Sequence, residues 1–246
     1  MEHREWKRIV PASDTAVLFI HGIAGTPNHF SDFVELVPEN LSVWNLLLDG
    51  HGKGAVEFSK TSMKRWETQV QNAVEELSQT HEYLYIVGHS MGTLFAIEQA
   101  IRNPKITKLF LLAVPLKLFL KSAMVSNAWK VYFDKIKPGD ASALAAKKCY
   151  GIENDKMVLH YLGWIPRFMD LFAKIRQTRK RLHLLNTPTA AFQSMKDEMV
   201  SSKTMDLLRE NPSVSVTVLP ASGHYYYPEE EYGFLLRRFA EWMCSY

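Results

Sequence analysis

Cysteine is scarce in this 246-residue sequence: Cys149 and Cys244 provide no disulfide framework, and no spacing of Cys with His resembles a zinc site. So few cysteines suit a reducing compartment. Long apolar runs are missing too. No stretch of 18 apolar residues exists, which excludes a membrane-spanning helix, and the early run at residues 16–20 is too short for the apolar region of a signal peptide. A soluble, cytoplasmic protein is the expectation. There is no internal repeat, no low-complexity tract and no nucleic-acid-binding motif. What remains is a globular chain, 47% hydrophobic, long enough for one large domain or a domain with a sizeable insertion.

The net charge of +3 hides a division. Residues 116–183 carry 14 Lys and Arg against 5 Asp and Glu, whereas the other parts of the chain carry 15 against 21. A basic segment is set into an acidic remainder.

Apolar periodicity divides the chain at the same place. Up to residue 115, strand-like runs (an edge strand at 5–10, then 16–20, 41–48, 83–87 and 108–114) alternate with helical patterns. The patterns are Phe30, Phe33, Val34, Val37, then Met63, Trp66, Val70, Ala73, Val74, Leu77, then residues 93–102. Such alternation predicts a mostly parallel sheet of about six to seven strands with helices on both faces. From Pro115 to His183 no convincing strand is found. Helical patterns appear instead at Val125, Trp129, Tyr132, Phe133, Ile136 and, after Gly163 and Pro166, at Phe168, Leu171, Phe172, Ile175. Strands resume at 189–193 and 214–219, and a last helix carries Tyr232, Leu235, Leu236, Phe239 and Trp242 on one face. Residues 1–115 and 184–246 therefore read as the core, and 116–183 as an inserted helical cap.

Gly88-His89-Ser90-Met91-Gly92 stands where the strand at 83–87 meets its helix. Glycines two residues either side of a serine let a strand and a helix pack closely enough to present that serine at the tip of a sharp turn, a nucleophile elbow. A hydroxyl is a weak nucleophile near neutral pH, so it needs a histidine base and a carboxylate to orient that base. His224, in Ser222-Gly223-His224, follows the last strand, and Asp197 follows the strand before it. In a parallel sheet both loops open on the edge that carries the elbow. The chain order is serine, acid, histidine. Asp49 also ends a strand but breaks that order, and adjacent Glu198 would point elsewhere in extended backbone. His21, His51 and His89 lie near the site, with His21 and His89 read as packed, backbone-bonded rings.

Four motifs, His21-Gly22, Gly88-His89-Ser90-Met91-Gly92, Lys196-Asp197-Glu198-Met199-Val200 and Ser222-Gly223-His224, fall where α/β-hydrolases carry theirs. Over its whole length the chain resembles the small carboxylesterases and monoacylglycerol lipases of that superfamily, including a Gly50-His51-Gly52 turn and a helical insertion after the strand at 108–114. The resemblance implies the α/β-hydrolase fold and an oxyanion hole made by the backbone N–H groups of Ile23 and Met91. It also implies a metal-free and cofactor-free serine hydrolase that cleaves short- to medium-chain acyl esters or monoacylglycerols through an acyl-enzyme on Ser90. Gly22, His89, Trp129 and Phe168 are candidate pocket residues. Thioester or lysophospholipid hydrolysis by the same triad, or a non-catalytic protein binding a hydrophobic ligand, are the alternatives. The expected partner is a small-molecule ester rather than nucleic acid, with a monomer or small homo-oligomer. The basic insertion leaves open a transient contact with anionic lipid surfaces, although solvated helix faces explain the same charges.

Overall fold

The computed structural model describes residues 3–119, 136, 137, 139–153, 155 and 157–244. Strand β1 (Trp6–Arg8) lies at one edge of the sheet, followed by β2 (Thr15–Ile20), a 3₁₀ turn at Pro27–Phe30, helix α1 (Ser31–Glu35) and β3 (Ser42–Leu46). Next come β4 (Lys53–Gly54), α2 (Ala55–Ser59), α3 (Met63–Thr80), β5 (Tyr83–His89), α4 (Met91–Arg102) and β6 (Ile106–Leu112). Within the inserted stretch stand α5 (Ala141–Cys149), β7 (Ile152–Glu153), a 3₁₀ segment at Val158–Trp164 and α6 (Ile165–Arg181). The chain closes with β8 (Thr189–Ser194), α7 (Thr204–Arg209), β9 (Val214–Leu219) and α8 (Glu229–Cys244).

Seven strands form the main sheet in the order β1-β3-β2-β5-β6-β8-β9. Only β1 pairs antiparallel, with β3; the other pairings are parallel. Alternation along β2 shows why both faces are covered, since successive strand side chains point to opposite sides. Ala16, Leu18 and Ile20 pack with Trp66 and Val70 of α3 and Leu94 and Ile97 of α4. Val17 and Phe19 pack with Phe33 of α1 and Leu235 and Phe239 of α8. All six residues of β2 are buried, so its loop leaves from the middle of the molecule.

Two features of the inserted stretch depart from expectation. It contributes a strand after all, since β7 pairs in parallel with β4 through Lys53 and Ile152. Two residues are too few to leave a periodic signal. Helix α5 is Ala-rich and capped by Asp140, whose carboxylate accepts from the N–H of Ala143 at 3.1 Å. By contrast α6 stands where the pattern places it, with Pro166 in its first turn, where a missing N–H costs nothing; of its expected apolar face Leu171 and Ile175 enter the core, while Phe168 and Phe172 are exposed. The predicted pattern at Val125, Trp129, Tyr132 and Phe133 lies outside the described residues.

Strand β5 and helix α4 approach as the two glycines require. A Cβ on Gly92 would lie 2.0 Å from the carbonyl oxygen of Ile20, and one on Gly88 would lie 2.9 Å from the amide nitrogen of Thr93. Gly92→Ala is expected to destabilise the fold by about 3 kcal/mol or more, because the obstructing atoms are backbone and cannot rotate away. Urea unfolding of the variant checks this, and native stability in it would contradict the packing described.

Candidate active site

Ser90 connects β5 to α4 with φ 51° and ψ −120°, a conformation that non-glycine residues avoid. Such a residue stores roughly 1 to 3 kcal/mol of strain and persists only where its surroundings over-determine it. Here they do. The Ser90 N–H donates to the carbonyl of Leu112 at the end of β6 (2.9 Å), and the Ser90 carbonyl accepts from the amide and the hydroxyl of Thr93 (3.0 and 2.6 Å).

Asp197 and His224 stand beyond β8 and β9, and both are buried. The Nδ1–H of His224 donates to Asp197 Oδ2 at 2.8 Å. Asp197 Oδ1 accepts from the amides of Met199 and Val200, each at 2.7 Å, so this carboxylate is fixed at both oxygens. Burial opposes charge on the His224 imidazole, but the Asp197 charge, the bond to it and the Glu198 charge outweigh that and raise its pKa. Burial likewise opposes ionisation of Asp197; the His224 charge and its three hydrogen bonds outweigh it and lower the pKa. His224 Nε2 is left buried with no hydrogen-bond partner among the described residues. This is the nitrogen that a general base needs free.

Glu198 does not share the work of Asp197. Its Oε2 accepts from the backbone N–H of His224 at 2.9 Å, and its Oε1 accepts from the Ser142 hydroxyl at 3.2 Å. It fixes the loop that carries the histidine and ties it to the start of α5. Asp49 is engaged elsewhere, with Arg65 at 3.1 Å.

The loop after β2 is braced by neutral histidines. His21 Nε2 accepts from the Leu48 N–H (3.1 Å), which puts its proton on Nδ1, facing the carbonyl of Gly22 (2.8 Å). His51 Nε2 accepts from the Ala24 N–H (3.1 Å) while its Nδ1 faces the Leu48 carbonyl (3.1 Å). His89 donates from Nε2 to the carbonyl of His224 (3.0 Å), and its ring lies 4.0 Å from that of His29. Burial drives the pKa of His21 down to about 4 and that of His29 to about 3, and holds His51 and His89 well below the ordinary value. The amide of Ile23 meets no backbone acceptor among the described residues, and Met91 opens α4, so its N–H has no intrahelical acceptor.

The structure therefore gathers Ser90, Asp197, His224, Ile23, Met91, Gly22 and His89 at one sheet edge; a Cβ on Gly22 would lie 3.0 Å from that of Ser90. Phe168 stands on α6, 36% exposed, and Trp129 lies outside the described residues. Sequence reasoning missed Gly151, whose amide donates to the Ala24 carbonyl at 2.8 Å and where a Cβ would lie 2.2 Å from the carbonyl oxygen of Gly25. It also missed buried Cys149, 3.3 Å from His29 Nδ1. A lone glycine and a lone cysteine in a helical stretch carry no spacing that could have revealed either. Among the described residues no group of three or more His, Cys, Asp or Glu is placed to hold a metal ion, and no helix is long and apolar enough to cross a membrane.

Sheet order, elbow and the Asp197–His224 pair together define an α/β-hydrolase. More narrowly, the profile of the family described as serine aminopeptidase, S33, matches residues 11–231, and the chain belongs to that family. It is similar to a thermostable monoacylglycerol lipase of Bacillus sp. (strain H-257), 22% identical over 199 residues covering 78% of this chain and 74% of that protein. Among solved structures it resembles one reported for LipS and LipT, two metagenome-derived lipolytic enzymes (TM-score 0.74, 18% identity, 98% and 97% of the two chains covered). It also resembles a monoacylglycerol lipase of Paleococcus ferrophilus (TM-score 0.70, 19% identity, 99% and 98% covered).

The buried histidines set an acid limit. His21, His29, His51 and His89 have folded pKa values below the unfolded value of 6.5, so the unfolded chain binds more protons and stability is lost as pH falls below 6.5. Each such group that is still neutral in the fold at pH 5 adds about 1.4 kcal/mol per pH unit to the slope. Urea unfolding between pH 7 and 5 measures it, and a flat profile would show these rings to titrate in the fold as they do in the unfolded chain. His224 behaves in the opposite sense: its proton is held above pH 6.5, and Glu198→Gln is expected to lower its pKa, read by NMR titration of the imidazole.

Proposed function

We propose that the chain is a serine hydrolase that cleaves carboxylic esters, with short- to medium-chain acyl esters or monoacylglycerols as substrates. The observation that carries this reading is the buried imidazole of His224, bound to Asp197 through Nδ1 and open at Nε2. The strained Ser90 supports it, since a protein that only bound a hydrophobic ligand would gain nothing from that backbone. The names of the relatives, a monoacylglycerol lipase in two cases, support the ester class.

Ser90 Oγ attacks the substrate carbonyl while His224 Nε2 takes its proton. Asp197 stabilises the imidazolium, and the amides of Ile23 and Met91 receive the oxyanion. His224 then passes the proton to the leaving alcohol, and the acyl group stays on Ser90. A water, deprotonated by the same nitrogen, releases the acid and restores the hydroxyl. Losing one oxyanion donor would cost roughly 3 to 4 kcal/mol, so the bracing of residues 22–25 by His51 and Gly151 bears directly on rate. In this reading residues 116–183 cap the catalytic edge and select the acyl chain.

Ser90→Ala is expected to lower kcat by about 10⁴-fold or more and to abolish labelling by a fluorophosphonate probe, with chromogenic esters of graded chain length as substrates. Retention of hydrolysis and labelling by the variant would end this reading. Because catalysis needs neutral His224 and its pKa is raised, kcat/KM is expected to rise with pH through a value above 6.5. Asp197→Asn removes the largest raising influence, so the limb moves to lower pH as kcat falls.

A further inference from the structure

Helix α6 has two faces of different character. One carries Leu171, Lys174, Ile175 and Thr178, all buried, and is pinned by polar contacts: Lys174 to Glu67, Thr178 to Glu98 at 3.3 Å, and Arg181 to Glu98 at 3.5 Å. The other runs through Ile165, Phe168, Met169 and Phe172 in steps of three and four residues, and these side chains are exposed, Ile165 by 58% and Met169 by 63%. Leu159 and Leu162, just before the helix, are exposed as well.

The same steps carry the second face onward to Arg176 and Arg179, with Lys180 beside them; all three are exposed, and among the described residues none has an ionic partner. The only acidic residue of the helix, Asp170, lies off this face and pairs with Arg167 at 3.7 Å. An apolar stripe that continues into unpaired cations, with no anion between, is complementary to a surface that is apolar inside and anionic at its rim. Because the opposite face is held by ion pairs that each bury one partner, the stripe is presented rather than folded away.

We infer that the face of α6 formed by Ile165, Met169, Phe172, Arg176 and Arg179 docks on anionic lipid surfaces. Apolar side chains enter the acyl boundary, and the cations meet the headgroups. This goes beyond the catalytic reading and does not require it, since binding is measured apart from hydrolysis.

Sedimentation of the full chain with vesicles of phosphatidylcholine alone or mixed three to one with phosphatidylglycerol tests the inference. Two double variants accompany it, Met169→Asp/Phe172→Asp and Arg176→Gln/Arg179→Gln. The native protein is expected to pellet with the mixed vesicles and to be released by salt. The apolar variant loses about tenfold or more in partitioning. The charge variant loses about 30-fold on mixed vesicles, about fivefold per cation, and nothing on neutral ones. The urea-unfolding midpoint stays native in both, which separates lost docking from lost folding.

Equal pelleting with neutral and mixed vesicles would overturn the inference, as would unchanged partitioning of both variants. Absence from both pellets would do the same and would mean that another part of the chain covers the stripe. So would a native dimer that the apolar variant converts to monomer in sedimentation velocity, which would assign the stripe to a second copy. Failure of Ser90→Ala to abolish ester hydrolysis would strike the catalytic reading alone.

Discussion

Everything at the sheet edge that carries Ser90, Asp197 and His224 depends on one close approach, that of Gly92 to the carbonyl of Ile20. Strands β2 and β5 are adjacent and parallel, with Ile20 opposite Gly88, so the loop after β2 and the turn after β5 leave the sheet side by side. With no Cβ between them, the first turn of α4 settles against the end of β2. That single packing sets the Ser90 backbone, frees the Met91 amide and brings Gly22 within 3.0 Å of the Ser90 side-chain carbon when its own Cβ is imagined. The strain at Ser90 is offset by hydrogen bonds to Leu112 and Thr93, that is, by β6 and α4 together. Strands β8 and β9 then only have to bring Asp197 and His224 to a place already fixed.

Fixing it requires buried polar groups, and the chain uses imidazole for most of them. A neutral ring offers one donor and one acceptor on a rigid plane, so it can join two backbone groups without burying a charge. His21 joins Leu48 to Gly22, His51 joins Ala24 to Leu48, and His89 holds the carbonyl of His224. Each works only while unprotonated, and burial keeps it so. His224 differs because Asp197 and Glu198 surround it with negative charge, and their sum overcomes the same burial. One residue type thus serves as inert strut and as titrating group, separated by the nearest carboxylate.

What could be read in the sequence follows from the range of the signal. β2, β5 and β6 were visible because parallel strands buried in the middle of the sheet read as apolar runs, β8 and β9 as shorter runs of strand-forming residues, and the ends of β2, β5, β8 and β9 lead into Gly22, Ser90, Asp197 and His224. The order Ser90, Asp197, His224 along the chain needed no coordinates. The contacts of the inserted stretch were out of reach. Gly151 against Gly25, Cys149 against His29 and Ser142 on Glu198 join residues far apart in sequence through single atoms, with no periodicity to announce them. Glu198 illustrates the gap: its type and place suggested a rival acid, and only the bond to the His224 backbone shows that it holds the loop instead.

Charge counted along the sequence misleads for a related reason. The excess of cations in residues 116–183 suggests a uniformly basic, solvated insertion. In α6, however, Lys174 is buried against Glu67, Arg181 reaches buried Glu98, and Arg167 donates to the carbonyl of Ser59 at 2.8 Å. These cations act as pins, and Leu171, Ile175 and Leu182 belong to the same apolar cluster as Ile20 and Leu94. The change of composition at residue 184 is therefore not a change of packing. Displacing α6 would expose that apolar surface and separate its ion pairs at once.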